Sequence, residues 1–114
     1  MTGTATIGDS GVFAAGKRVN MPVLLTDTEL AAAVPLLHGW ERDGSSLRRT
    51  VELPSFPAAL EAVVAVGAAA EEMQHHPDID IRWRTLTFVL STHSAGGVTR
   101  LDLDLAERIN AIVD

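Results

Sequence analysis

Three of the four histidines in this 114-residue chain fall inside one stretch, "EEMQHHPDIDIRWRTLTFVLSTH" at positions 71–93, and two of them are adjacent and followed by proline. Imidazoles grouped in this way can hold a metal ion, move protons, or simply end secondary-structure elements. A metal would need His75, His76 and His93 to converge. Neighbouring side chains instead diverge by roughly 100° in a helix or point oppositely in a strand, and the chain has no His-x-x-x-His spacing. Proton transfer needs only two of the three rings. His75 ends a predicted helix and His93 ends a predicted strand 17 residues beyond His76. If those elements pack together, two imidazoles face one cleft as proton donor and acceptor near neutral pH. In the plainer alternative, His75 complements the dipole at a helix C-terminus, Pro77 forces His76 to be extended, and His93 closes a strand. Spacing alone leaves the last two readings open.

The neighbouring groups are equally two-sided. Glu71 lies four residues before His75 and so shares its helix face, where it either orients an imidazole or is an ordinary solvated carboxylate. Asp102 stands three positions after Thr99, where a capping carboxylate belongs. Trp83 can stack on a planar ligand or pack within a sheet. His38, before Gly39, has no partner in sequence. The glycines of "SAGGV" lack the lysine and the spacing of a phosphate-binding loop.

Positioning these groups falls to a readable series of elements. Thr26 and Glu29 have capping-box spacing ahead of an apolar run, so a helix starts there and ends or kinks near Pro35. "GWERDGSSLRRTVEL" reads as a hairpin turning at residues 43–46, with Leu47, Arg49, Val51 and Leu53 on one face of its second arm. A long helix runs from Ser55, its cap, to about His75. Phe56, Leu60, Val63, Val64 and Met73 recur along it at helical spacing, and Pro77 stops it. Period-two alternation returns with Ile79, Ile81 and Trp83, then Leu86, Phe88 and Leu90, which predicts a second hairpin turning around Arg84 and Thr85. A second capping signal at Thr99 and Asp102 opens a last helix with Leu101, Leu105, Ile109 and Ile112 on one face. The order α-β-β-α-β-β-α predicts an α+β fold, a four-stranded antiparallel sheet with three helices packed on one face. The bare sheet face and the edge strands are natural oligomer surfaces.

Composition limits the function classes. The length suits one domain, assigned to residues 21–114. Residues 1–20, rich in Gly, Thr and Ala, read as a flexible extension; their Lys17 and Arg18 lack the amphipathic pattern of a targeting segment. The absence of cysteine removes disulfides, thiolate metal sites and a cysteine nucleophile, and is compatible with a reducing compartment. A net charge of -6 without a basic patch argues against nucleic acid and anionic membranes as partners, since Arg48, Arg49, Arg82 and Arg84 read as solvent-facing strand positions. No apolar run approaches a membrane span. A soluble cytoplasmic protein is expected.

Taken jointly, Glu71-x-x-x-His75-His76-Pro77, Trp83, Leu90-Ser91-Thr92-His93 and Asp102, with Gly39-Trp40 and Phe56 upstream, resemble the pterin-4a-carbinolamine dehydratases over roughly residues 26–114. The resemblance implies the α+β fold described above, a homodimer or homotetramer built through sheets and helices, and no metal or bound cofactor. It also implies dehydration of a 4a-hydroxytetrahydropterin to the quinonoid dihydropterin. By position, His75 and His93 would be the acid/base pair. His76 would bind the pterin, and Glu71, Trp83 and Asp102 would lie at or near the substrate. The chain departs from the animal members at Ile79, where those have tryptophan, so part of the ring-contacting surface differs. Since some relatives act as dimerisation or assembly factors, a non-catalytic module of the same fold is the alternative.

Overall fold

In the computed structural model, residues 22–114 are described; the extension expected over residues 1–20 lies outside them. Thr26 opens helix α1 (Asp27–Ala33) with a complete capping box: its side chain accepts from the Glu29 N–H, and the Glu29 carboxylate accepts from the Thr26 N–H. The helix tightens into a 3-10 turn at Val34–Leu36, because Pro35 has no N–H with which to continue it.

Strands β1 (Glu41–Asp43) and β2 (Ser46–Glu52) form the first hairpin around Gly44, whose φ of 61° suits the two-residue turn. After Ser55 caps it, helix α2 runs over Phe56–Met73. Strands β3 (Asp78–Arg82) and β4 (Thr85–Leu90) form the second hairpin, and helix α3 (Arg100–Val113) closes the chain with a second capping box. The antiparallel sheet has the order β1-β2-β4-β3, so the expected α-β-β-α-β-β-α architecture is the observed one.

Register explains which sheet face is buried. Leu47 pairs with Leu90, Arg49 with Phe88, Val51 with Leu86, and Ile79 with Phe88. Directly opposed residues in an antiparallel pair share a face, so these side chains meet α2 and α3 in one core. Leu47, Leu86, Phe88, Leu90, Val66, Leu105 and Ile109 are fully buried there.

Two expectations change, for Arg49 and for the second hairpin turn. Arg49 is not solvent-facing but only 5% exposed. Its guanidinium donates to Asn110 Oδ1 and grips the Asp114 carboxylate at 3.0 and 2.6 Å, so its charge is paired rather than stranded in the core. Chiefly because of that hydrogen bonding, the Asp114 carboxyl titrates below its ordinary range, against the opposing effect of burial. In α2 the core side is the small-residue face, Ala59, Ala62, Val66, Ala69 and Ala70, while Phe56, Leu60 and Val64 are exposed. Small residues let α2 approach the sheet and α3 closely, which leaves the bulkier stripe outside. The second hairpin turns one residue earlier than expected, at Trp83 and Arg84, with Trp83 at φ 55°.

Gly39 sits in the left-handed region at φ 82°, and a Cβ there would lie 2.5 Å from Arg49 Nε. Since Arg49 is pinned by Asn110 and Asp114, it cannot yield freely. Gly39→Ala is expected to destabilise the protein by more than the ~1–2 kcal/mol of left-handed backbone strain alone. Gly44→Ala, with nothing within 4 Å of its added Cβ, should cost only that strain. Equal urea midpoints for the two variants would show that the Arg49 contact is unimportant.

Candidate active site

Gln74 decides where the two adjacent histidines go. It takes the left-handed conformation (φ 53°) at the end of α2, its N–H donating to the Ala70 and Glu71 carbonyls. The helix therefore stops three residues before Pro77, and His75 no longer shares a helical face with Glu71. In the extended segment that follows, successive side chains point to opposite sides. His75 turns inward, where its Nε2 lies 2.6 Å from Asp102 Oδ1. His76 turns outward, its Nε2 2.5 Å from Glu71 Oε2. Glu71 thus supports His76, not His75 as the i, i+4 spacing suggested.

Asp102 is fully buried and does two jobs. As the third residue of α3 it accepts the Thr99 N–H at 2.9 Å, and it also accepts the Thr92 hydroxyl at 2.7 Å and faces the His75 ring. Thr99 and Thr92 hydroxyls lie 2.8 Å apart, which extends the network. An ionised carboxylate has only acceptors, so His75 Nε2 carries the hydrogen in this bond. Nδ1 keeps the lone pair in the neutral ring, and no hydrogen-bond partner for it is found among the described residues. The His75 side chain is 10% exposed.

The same network braces the loop that carries His93. Thr92 forms an isolated bridge with Gly97, and its carbonyl accepts from the N–H groups of Ala95 and Gly96. A 3-10 turn at His93–Ala95 follows, ended by Gly96 at φ 78°. A bridge between Leu24 and Thr99 and a bond from the Leu25 N–H to the Val98 carbonyl tie the far side of this loop to the start of the described chain.

His76 and His93 line a cleft of about 350 Å³, together with Ser45, Ser46, Asp78 and Ser91. Val89 contributes to its floor. Asp78 pairs with Val89 and alternates with the core-facing Ile79 and Phe88, so the cleft lies on the helix-free face at one end of the sheet. Ser91 Oγ donates to the Ser45 carbonyl, which fastens the first hairpin turn to the end of β4. His75 and Asp102 are not among the lining residues; they stand behind His76 and the His93 loop, on the helix side. Trp83 is 68% exposed at the other end of the β3–β4 hairpin, about 17 Å of strand away, with the Arg84 guanidinium 4.7 Å from its ring centroid. Among the described residues, no three histidine, aspartate or glutamate side chains are grouped as a metal site would require.

Ser45, Ser46, Asp78 and Ser91 escaped the sequence analysis. The serines carried only a turn signal, and Asp78 only its nearness to "HHP". Their shared position depends on register, which no local spacing encodes.

Comparison with known proteins gives consistent matches. A family model described as Pterin 4 alpha carbinolamine dehydratase matches residues 23–112. A Mycobacterium avium protein named as a provisional pterin-4-alpha-carbinolamine dehydratase is 54% identical over 90 residues, covering 79% of this chain and 96% of its own. A Nocardia farcinica protein with the same provisional name is 55% identical over 89 residues, covering 78% and 94%. Among solved structures, a Brucella melitensis transcriptional coactivator/pterin dehydratase superposes with a TM-score of 0.77 at 30% identity, covering 79% of this chain and 98% of that one. A pterin dehydratase-like RuBisCO assembly factor of the alpha-carboxysome has a TM-score of 0.58 at 22% identity, covering 67% and 90%, and shares the fold.

Proposed function

We propose, since this chain belongs to the pterin-4-alpha-carbinolamine dehydratase family, that it removes water from a 4a-hydroxytetrahydropterin by histidine acid/base catalysis, in the recycling of tetrahydrobiopterin. The observation that carries this is the set of three imidazoles at one end of the sheet, one free in a cleft and one backed by a buried carboxylate.

The reaction breaks the C4a–O bond and forms the C4a=N5 double bond, without redox change. One group must take the proton from N5, and another must protonate the departing hydroxyl so that it leaves as water. His93, exposed in the cleft, is assigned the role of acid. His75 is assigned the role of base, through the Nδ1 lone pair left free when Nε2–H is committed to Asp102; because it stands behind the cleft wall, it takes the N5 proton through one bridging water. Proton exchange with solvent then resets both rings. His76, held by Glu71, is assigned to substrate contact. Trp83 is too far along its hairpin to reach this cleft, so a contact with substrate would have to be made across a subunit interface.

Self-association as a homodimer or homotetramer belongs to the proposal, supported by the exposed stripe of Leu60 and Val64 on α2 and by the edge of β3, which is unpaired among the described residues. Cytoplasmic action is supported by the cysteine-free composition, which suits a reducing compartment. Among the described residues no helix is long and apolar enough to cross a membrane.

The test is the rate at which purified protein, its mass in solution checked by light scattering, consumes the 4a-hydroxytetrahydropterin. Acceleration over buffer is expected. His75→Ala should lower kcat at saturating substrate, whereas His76→Ala should mainly raise KM. The reverse pattern would make His76 and His93 the proton-transfer pair. Wild-type protein that leaves the buffer rate unchanged while binding a heterologous partner stably would instead identify a non-catalytic interaction module; the Brucella melitensis protein is named a transcriptional coactivator as well as a pterin dehydratase.

A further inference from the structure

We infer that Asp78 is a specificity-determining residue, accepting hydrogen bonds from the N3–H and 2-amino group of a 2-amino-4-oxo pterin. This deepens the dehydratase proposal and rests on it.

The cleft holds few groups able to read that edge. Asp78 is the first residue of β3, exposed, and paired with Val89 of the cleft floor. Its carboxylate has no ion-pair or hydrogen-bond partner among the described residues. The neighbouring carboxylates are occupied: Asp80 by Arg82, Glu71 by His76, and Asp102 by its buried network. Ser91 has already donated its hydroxyl hydrogen to Ser45, and the proposal engages the imidazoles elsewhere. Among the described residues, no arginine or lysine lines the cleft to neutralise Asp78.

The pyrimidine end of a pterin presents two adjacent N–H donors pointing in one direction, the arrangement that a carboxylate accepts in bidentate fashion. Replacing the 2-amino group by oxygen turns one donor into an acceptor facing carboxylate lone pairs. A site built on a hydrogen bond rejects the analogue that lacks it far more strongly than an apolar site rejects a change of shape. Asp78 would therefore discriminate at a position remote from the bond being broken, and its loss should appear in binding more than in turnover.

The experiment measures binding of 7,8-dihydropterin and of its 2-oxo counterpart, 7,8-dihydrolumazine, by calorimetry, alongside dehydration kinetics, for wild type, Asp78→Asn and Asp78→Glu. Wild type should favour the 2-amino compound by about ten-fold or more, a deliberate discount from a closed site because this cleft is open. Asp78→Asn should bring the ratio to within about three-fold while kcat stays within about three-fold of wild type, and Asp78→Glu should restore part of the preference. An unchanged ratio in Asp78→Asn, in protein that still dehydrates the carbinolamine, overturns the assignment of Asp78 alone. Wild type that neither binds the pterin nor dehydrates the substrate overturns the dehydratase proposal and this inference with it.

Discussion

His93→Ala should lower kcat for dehydration by about 10² to 10⁴-fold, the range expected when one positioned proton-transfer group is removed, while leaving stability nearly unchanged. The contrast follows from its surroundings. His93 is exposed at the tip of its loop, and the bonds that hold the loop run through the Thr92 backbone and side chain. Removing the ring takes away a cleft-lining group without touching that scaffold. His93→Gln, which keeps polarity and much of the size but cannot shuttle a proton, should be nearly as inactive as alanine. Thermal unfolding and steady-state kinetics on the same preparations decide it. Activity within a few-fold of wild type in both variants would remove His93 from the chemistry. A loss of stability matching the loss of activity would mean that the ring supports the loop instead.

Two substitutions of Asp102 should separate its structural role from its catalytic one. Asp102→Ala leaves the Thr99 N–H, the Thr92 hydroxyl and the His75 Nε2–H without their acceptor in a fully buried place. Breaking such a buried charged network typically costs about 3–5 kcal/mol, a large part of the stability of a small domain. A urea denaturation series should show the midpoint fall by that measure, and a shift below ~1 kcal/mol would be incompatible with this network. Asp102→Asn is the sharper variant. Its amide oxygen can still accept from Thr92 and Thr99, so stability should fall by only about 1–2 kcal/mol. Its NH₂ then faces His75 and donates where a carboxylate accepted. The ring must turn over to the tautomer with hydrogen on Nδ1, which removes the lone pair assigned to the N5 proton. kcat should drop by about 10²-fold or more, with 15N chemical shifts of the His75 ring reporting the exchanged tautomer. Unchanged kcat with the tautomer switched would exclude His75 as the base.

Much of the molecule could be read locally. Capping boxes at Thr26 and Thr99, the Ser55 cap, the period-two runs and the element order all survived folding, because each depends on contacts within a few residues. The readings that changed concern relations between elements. Arg49 looked like a surface cation because its partners, Asn110 and Asp114, lie more than sixty residues away in sequence. Which face of α2 meets the core was not legible either, because apolar size is visible in the sequence and the closeness of helix packing is not. Glu71 looked like a partner for His75 because a continuous helix was assumed through Gln74, whose left-handed backbone ends it.

By itself, the sequence determined that three imidazoles stand at the ends of a helix and a strand, that two of them cannot point the same way, and that Asp102 caps the last helix. These follow from backbone periodicity, which is local. Only the tertiary structure decided that His75 turns to Asp102 while His76 turns to the cleft with His93, and that Ser46, Asp78 and Ser91 form its walls. A helix stop sets the direction of each histidine, and strand register sets the company they keep. Register is fixed when the whole apolar face of the sheet is buried at once, so it belongs to the assembled core and not to any short stretch of chain.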